Sequence, residues 1–114
     1  MNLSIIIPVY NEEATILEIL NRVNVLKKNC QIEVIVINDG SNDNSKKIIE
    51  SNPQYYSKFI DLKVNSGKGK AVIEGIKSCT SDYILIQDAD LEYNPQDIVN
   101  FIEENYKNNF DIIM

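Results

Sequence analysis

Apolar residues along this chain gather in two alternating patterns. Leu3 to Val9 and Ile32 to Ile37 are nearly continuous in Ile and Val, the composition of strands buried on both faces of a parallel sheet. Phe59 to Val64, Tyr83 to Ile86 and Phe110 to Met114 are further stretches of strand length. Between the first two, Ile16, Leu17, Ile19, Leu20, Val23 and Leu26 recur at helical spacing, with Thr15 and Glu18 expected to form a capping box at the helix start. A shorter helix is predicted over Ser45 to Glu50, and another after Gly69 carrying Val72, Ile73 and Ile76. A last one begins at Asn94 as N-cap, takes Pro95 at its first position and runs through Ile98, Val99, Phe101 and Ile102.

The order β-α-β-α-β-α-β-α-β predicts the α/β class: a Rossmann-like, mostly parallel sheet with right-handed crossovers and helices on both faces. The final predicted strand reaches the last residue with no turn after it, so truncation after the fifth strand is expected. An edge strand exposed there is a candidate for pairing with a second copy of the chain.

In a parallel sheet all strands deliver their C-terminal ends to one edge. That edge should collect Pro8-Val9-Tyr10-Asn11-Glu12, Asn38-Asp39-Gly40-Ser41, Asn65-Ser66-Gly67-Lys68-Gly69-Lys70 and Gln87-Asp88-Ala89-Asp90. Glu12, Asp39, Asp88 and Asp90 then share one crevice, where a close carboxylate pair repels by up to ~4 kcal/mol at intermediate effective dielectric. A cation should compensate. Lys68 and Lys70 contribute, and Asp-x-Asp without His or Cys is an all-oxygen site of the kind Mg²⁺ or Mn²⁺ occupies together with substrate phosphates. An isolated Asp-x-Asp is more readily a solvated turn; its place directly after the apolar strand Asp82 to Gln87 shifts the balance to the metal.

Other residues carry two readings each. Asp39 is either a turn or N-cap residue or an acceptor for a base or ribose group, the latter preferred. Gly67-Lys68-Gly69-Lys70 lacks the first Gly and the Ser/Thr of a P-loop; its Lys68 can face phosphate, or the segment is a plain strand-to-helix turn. Tyr10 either stacks on a nucleobase or packs at the sheet edge. Asp39, Ser41, Asp43 and Glu50 mimic an EF-hand loop, but Asn44 stands where that loop requires Gly, and a strand precedes it.

Composition narrows the setting. With 44% hydrophobic residues in 114, one domain can bury a core without staples. A net charge of -6 argues against nucleic-acid binding. Two cysteines, Cys30 and Cys79, and no His suggest neither a disulfide framework nor a zinc site, and fit a reducing, cytoplasmic setting. The longest apolar run, Ile5 to Val9, is far below the ~20 residues of a membrane span, and Met1-Asn2-Leu3-Ser4 has no basic signal-peptide segment.

Taken together, Ile6-Ile7-Pro8-Val9-Tyr10-Asn11-Glu12, Val36-Ile37-Asn38-Asp39-Gly40-Ser41 and Gln87-Asp88-Ala89-Asp90 resemble, in order and spacing, the N-terminal half of the family 2 glycosyltransferases over nearly the whole chain. Asn65-Ser66-Gly67-Lys68-Gly69-Lys70 and Leu91-Glu92-Tyr93-Asn94-Pro95 are most similar to the dolichyl-phosphate mannose synthase and polyprenyl-phosphate branch. The resemblance implies a GT-A fold in which residues 1–114 bind a UDP-, GDP- or dTDP-linked sugar. It further implies that Pro8, Tyr10, Glu12, Ile37 and Asp39 surround the base and ribose. Asp88, Ala89 and Asp90 would lie along the diphosphate, Asp90 being the more direct ligand of Mg²⁺ or Mn²⁺. Such enzymes transfer sugar with inversion, here to an acceptor that the branch makes a polyprenyl phosphate at a membrane surface. The acceptor half and any base lie beyond Met114, so weak donor binding and little transfer are expected of these residues alone.

Three alternatives fit less well. A sugar nucleotidyltransferase wants a Gly- and Arg-rich loop after the first strand, where this chain has Glu12 and its sole Arg is Arg22. A phosphoacceptor signalling domain wants an Asp after the third strand and a Lys after the fifth. A non-catalytic nucleotide-binding module differs only in what the missing half would do.

Overall fold

The computed structural model describes residues 2–26, 31–87 and 111–113. The strands are β1 (Asn2–Val9), β2 (Gln31–Asp39), β3 (Lys58–Leu62), β4 (Tyr83–Ile86) and β5 (Asp111–Ile113). The helices are α1 (Ile16–Leu26), α2 (Ser45–Glu50) and α3 (Lys68–Ser78), with a short 3₁₀ turn at Pro53–Tyr55. The predicted helix from Asn94, Cys30 and the segment Asp88-Ala89-Asp90 lie outside the described residues.

All pairings are parallel, in the order β3-β2-β1-β4-β5. β1 is central because it is apolar on both faces. Its alternate residues Leu3, Ile5, Ile7 and Val9 pack with Val34 and Val36 under α1 and α2, while Ile6 packs with Ile35, Ile37 and Ile84 under α3. Period two thus sends neighbouring isoleucines to opposite layers, and the unbroken Ile/Val run is what a sheet covered on both sides requires.

On α1, Ile16, Leu20 and Val23 are essentially enclosed and Ile19 packs against them, while Leu17 is 47% exposed. The expected capping box does not organise this helix. Thr15 Oγ1 donates to Glu12 Oε2 at 3.3 Å, Ile16 N–H donates to Glu12 O at 2.9 Å, and Glu18 pairs with Arg22 at 2.6 Å. Glu12, three residues earlier, sets the first turn. β3 ends at Leu62, two residues before the apolar pattern did, because Val64 is 72% exposed in the following loop.

The opposite, N-terminal sheet edge is fixed by Glu33. Its carboxylate accepts from Ser4 Oγ at 2.8 Å and Thr80 N–H at 3.1 Å and pairs with Lys58 at 2.9 Å. Burial raises the pKa of this carboxyl, but the bonds from Lys58, Ser4 and Thr80 outweigh it and hold it below its ordinary value of 4.5. Among the described residues no helix is long and apolar enough to cross a membrane.

Candidate functional site

Beyond the C-terminal ends of β1, β2 and β3 lies a cavity of about 140 Å³ lined by Pro8, Val9, Tyr10, Glu12, Asp39, Asn65, Gly67 and Lys68. The fold therefore brings together Pro8, Tyr10, Glu12, Asp39 and Lys68, which are far apart in sequence. The strand order reverses at β1, which has β2 on one side and β4 on the other, and this is where ligands enter open α/β sheets.

Ile37 does not join them. Its side chain is 0% exposed and sits in the core beneath α3, because position 37 falls on the α3-facing phase of β2 and position 36 on the other. Its side chain is not part of the cavity lining.

Asp39 has a loop-supporting role and also reaches the cavity. Only 3% exposed, it accepts the Ser66 N–H at 2.8 Å on one carboxylate oxygen and the Gly67 N–H at 3.1 Å on the other. It thus anchors the loop leading into α3, yet each oxygen keeps a second lone pair, and the residue lines the cavity. Gly67, the N-cap of α3, has φ +96° and ψ 151°, a conformation essentially reserved for glycine. Removing the carboxylate leaves two backbone donors short of partners at the cavity wall. Asp39→Ala is expected to cost about 1–2 kcal/mol of stability, limited by water access to the loop, and Asp39→Asn roughly half as much, as read by urea denaturation.

Tyr10 lines the cavity and is 42% exposed. Lys70, in contrast, is exposed and outside the cavity lining; Lys68 is the cation the cavity holds.

Residues 11–13 and 41–45 are laced together, which sequence reasoning missed. Asn11 N–H donates to Ser41 Oγ at 3.0 Å, Asn42 N–H to Asn11 Oδ1 at 2.8 Å, and Glu12 N–H to Ser45 Oγ at 2.8 Å. Glu13 N–H donates to Asp43 Oδ2 at 3.2 Å, and Asn44 N–H to Glu13 Oε2 at 3.2 Å. Asp43 also accepts from Ser45 N–H at 2.8 Å; burial raises its pKa, and the bonds from Ser45 and Glu13 prevail and lower it. The EF-hand mimic does not fit the fold, since Asp39 closes strand β2 and residues 45–50 form α2. The crowding of Asn, Ser and Asp in this turn was the only sequence signal.

Beneath that turn, Asn38 Nδ2 donates to Asp61 Oδ1 at 2.9 Å, and Asp61 pairs with Lys46 at 3.0 Å and Lys63 at 3.2 Å. Burial raises the Asp61 pKa, and Asn38 with the two lysines brings it below the usual carboxylate range. Among the described residues no buried side-chain polar atom lacks a partner, and no three His, Cys, Asp or Glu side chains cluster as a metal site.

Comparison with known proteins follows the same lines. The undecaprenyl-phosphate 4-deoxy-4-formamido-L-arabinose transferase of Shewanella sediminis is 39% identical over 111 residues, covering 90% of this chain and 34% of that protein. The poly-beta-1,6-N-acetyl-D-glucosamine synthase of Staphylococcus epidermidis is 38% identical, covering 94% of this chain and 26% of that protein. The chain therefore spans about a third or less of these relatives. The solved glucosyl-3-phosphoglycerate synthase of Mycobacterium tuberculosis, in complex with Mn²⁺, UDP and glucosyl-3-phosphoglycerate, superposes with a TM-score of 0.66 at 24% identity over 78% of this chain and 33% of that one. The Rossmann-like GT-A architecture expected from the sequence is thus observed. The pattern described as Glycosyl transferase family 2 matches residues 4–114, and the chain belongs to that family.

Proposed function

We propose that this chain is the donor-binding part of a glycosyltransferase, and that its cavity receives the nucleoside end of a UDP-, GDP- or dTDP-linked sugar. The observation that carries this reading is the convergence of Pro8, Tyr10, Glu12, Asp39 and Lys68 on one cavity in a family 2 chain. Tyr10 offers a ring face to a base, Asp39 and Glu12 offer acceptors to base or ribose groups, and Lys68 offers positive charge to phosphate.

The diphosphate end is assigned to Asp88, Ala89 and Asp90. Support comes from covalent continuity: Gln87 N–H donates to Ile6 O at 2.9 Å, so the chain leaves β4 beside β1, whose following residues line the cavity. Asp90 and Asp88 would hold Mg²⁺ or Mn²⁺, which supplies Lewis-acid stabilisation of the departing diphosphate. The Mn²⁺ and UDP of the mycobacterial synthase agree with this choice.

The sugar is transferred with inversion to an acceptor. One relative is named for an undecaprenyl phosphate and another for the poly-beta-1,6-N-acetyl-D-glucosamine it makes. The likeness to the first favours a polyprenyl phosphate, and with it a place at the cytoplasmic face of a membrane. An anionic phosphate acceptor needs less help from a general base than a sugar hydroxyl does.

Titrating UDP, GDP and dTDP into the isotopically labelled chain tests the location. The backbone amides of Tyr10, Glu12, Asp39, Gly67 and Lys68 should shift together in NMR spectra. Shifts confined to another face of the sheet would overturn the assignment.

A further inference from the structure

Asn11 has φ +52°, the one positive value outside glycine among the described residues. Asn tolerates this left-handed conformation better than most side chains, at a cost that must be met by its surroundings. Those surroundings are specific: its backbone N–H donates to Ser41 Oγ, and its side-chain Oδ1 accepts the Asn42 N–H. On either side of it, Tyr10 and Glu12 line the cavity.

None of residues 41–45 lines that cavity, yet their polar groups bind the backbone of residues 11–13. Ser45, 0% exposed, receives the Glu12 N–H. Ser41 is itself held from the sheet, its N–H donating to Asn38 Oδ1 at 3.4 Å while Asn38 bonds Asp61. A connection between β1 and α1 needs only a turn. Here it is pinned to a second loop through Asn11, Glu12 and Glu13, of which Glu12 also lines the cavity.

We propose that Asn11 is a positioning residue for the nucleotide: clasped in its left-handed conformation to the turn after β2, it fixes the direction in which Tyr10 and Glu12 meet the ligand. This rests on the reading of the cavity as a nucleotide site. Losing the clasp leaves the cavity residues in place chemically but spreads their orientations, and binding then carries the ordering cost.

The test compares Asn11→Ala, Asn11→Gly and Asn11→Asp by calorimetric titration with UDP and GDP, alongside thermal unfolding without ligand. Asn11→Ala, which loses both the φ preference and the acceptor, should weaken nucleotide binding about tenfold. Asn11→Gly keeps the φ but not the acceptor and should lose about threefold to fivefold. Asn11→Asp keeps both and should stay within about twofold. Ser41→Ala, which removes the partner of the Asn11 N–H without touching Asn11, should again lose several-fold, and it stands in if Asn11→Ala fails to fold. Lower unfolding midpoints with unchanged nucleotide affinity in every folded variant would overturn the positioning role and leave the donor site standing. Wild-type chain that binds no nucleotide would overturn the donor site and this proposal together.

Discussion

Gly40→Ala should destabilise the chain by about 3–5 kcal/mol in urea denaturation, more than any other methyl group added to the loops of the site. Two costs combine. Gly40 has φ +68°, where a Cβ is disfavoured by roughly 1–2 kcal/mol. The added carbon would also stand 2.4 Å from Asn65 N and 2.7 Å from Val64 C. These are backbone atoms that cannot swing away, so the loop after β3 must move as a unit. That loop carries Asn65, Gly67 and Lys68 to the cavity, and its displacement should weaken nucleotide binding in whatever fraction stays folded. Gly67→Ala is the control. Its φ of +96° carries a backbone cost of about 1–3 kcal/mol, but a Cβ there meets nothing within 4 Å. Equal losses for the two variants would show that the close approach at Gly40 is unimportant.

The sheet was readable because its strands are simple. A run such as Ile5-Ile6-Ile7 has no polar face, and only a strand covered on both sides accommodates that. Convergence of Glu12, Asp39 and Lys68 then followed from parallel topology alone, with no knowledge of side-chain geometry. The failures lie where phase or distance decides. Ile37 belongs to the right motif, but the alternation of β2 turns its side chain into the core. Leu17 fits a helical count, yet lies on the solvent side of α1. Asp39 looked like a choice between loop support and ligand contact, whereas a carboxylate with four lone-pair positions can serve both.

The clasp was invisible for a different reason. Ser45 and Glu12 are separated by 33 positions, and no local pattern marks a serine whose partner is a distant backbone amide. Likewise the left-handed Asn11 cannot be told from an ordinary asparagine by sequence. Such contacts are set by how two loops meet above the sheet, which depends on strand order and on the turn at Gly40.

The largest functional loss is expected at Asp90. A nucleoside diphosphate brings several negative charges to a site already containing Glu12 and Asp39, and Lys68 alone does not balance them. Without a divalent cation the diphosphate would be repelled by the carboxylates meant to receive it. Asp90→Ala removes the ligand assigned to that cation, so the loss should appear only when metal is present. An effect through folding would instead weaken binding in both conditions.

The most direct test is calorimetric titration of UDP-, GDP- and dTDP-linked sugars into wild type and Asp90→Ala, each with and without Mn²⁺. Mn²⁺ should strengthen wild-type binding of the preferred donor by at least about tenfold, equivalent to about 1.4 kcal/mol. Asp90→Ala should lose that gain while keeping the same unfolding midpoint. Donor binding that is independent of Mn²⁺ and indifferent to the substitution would contradict the account.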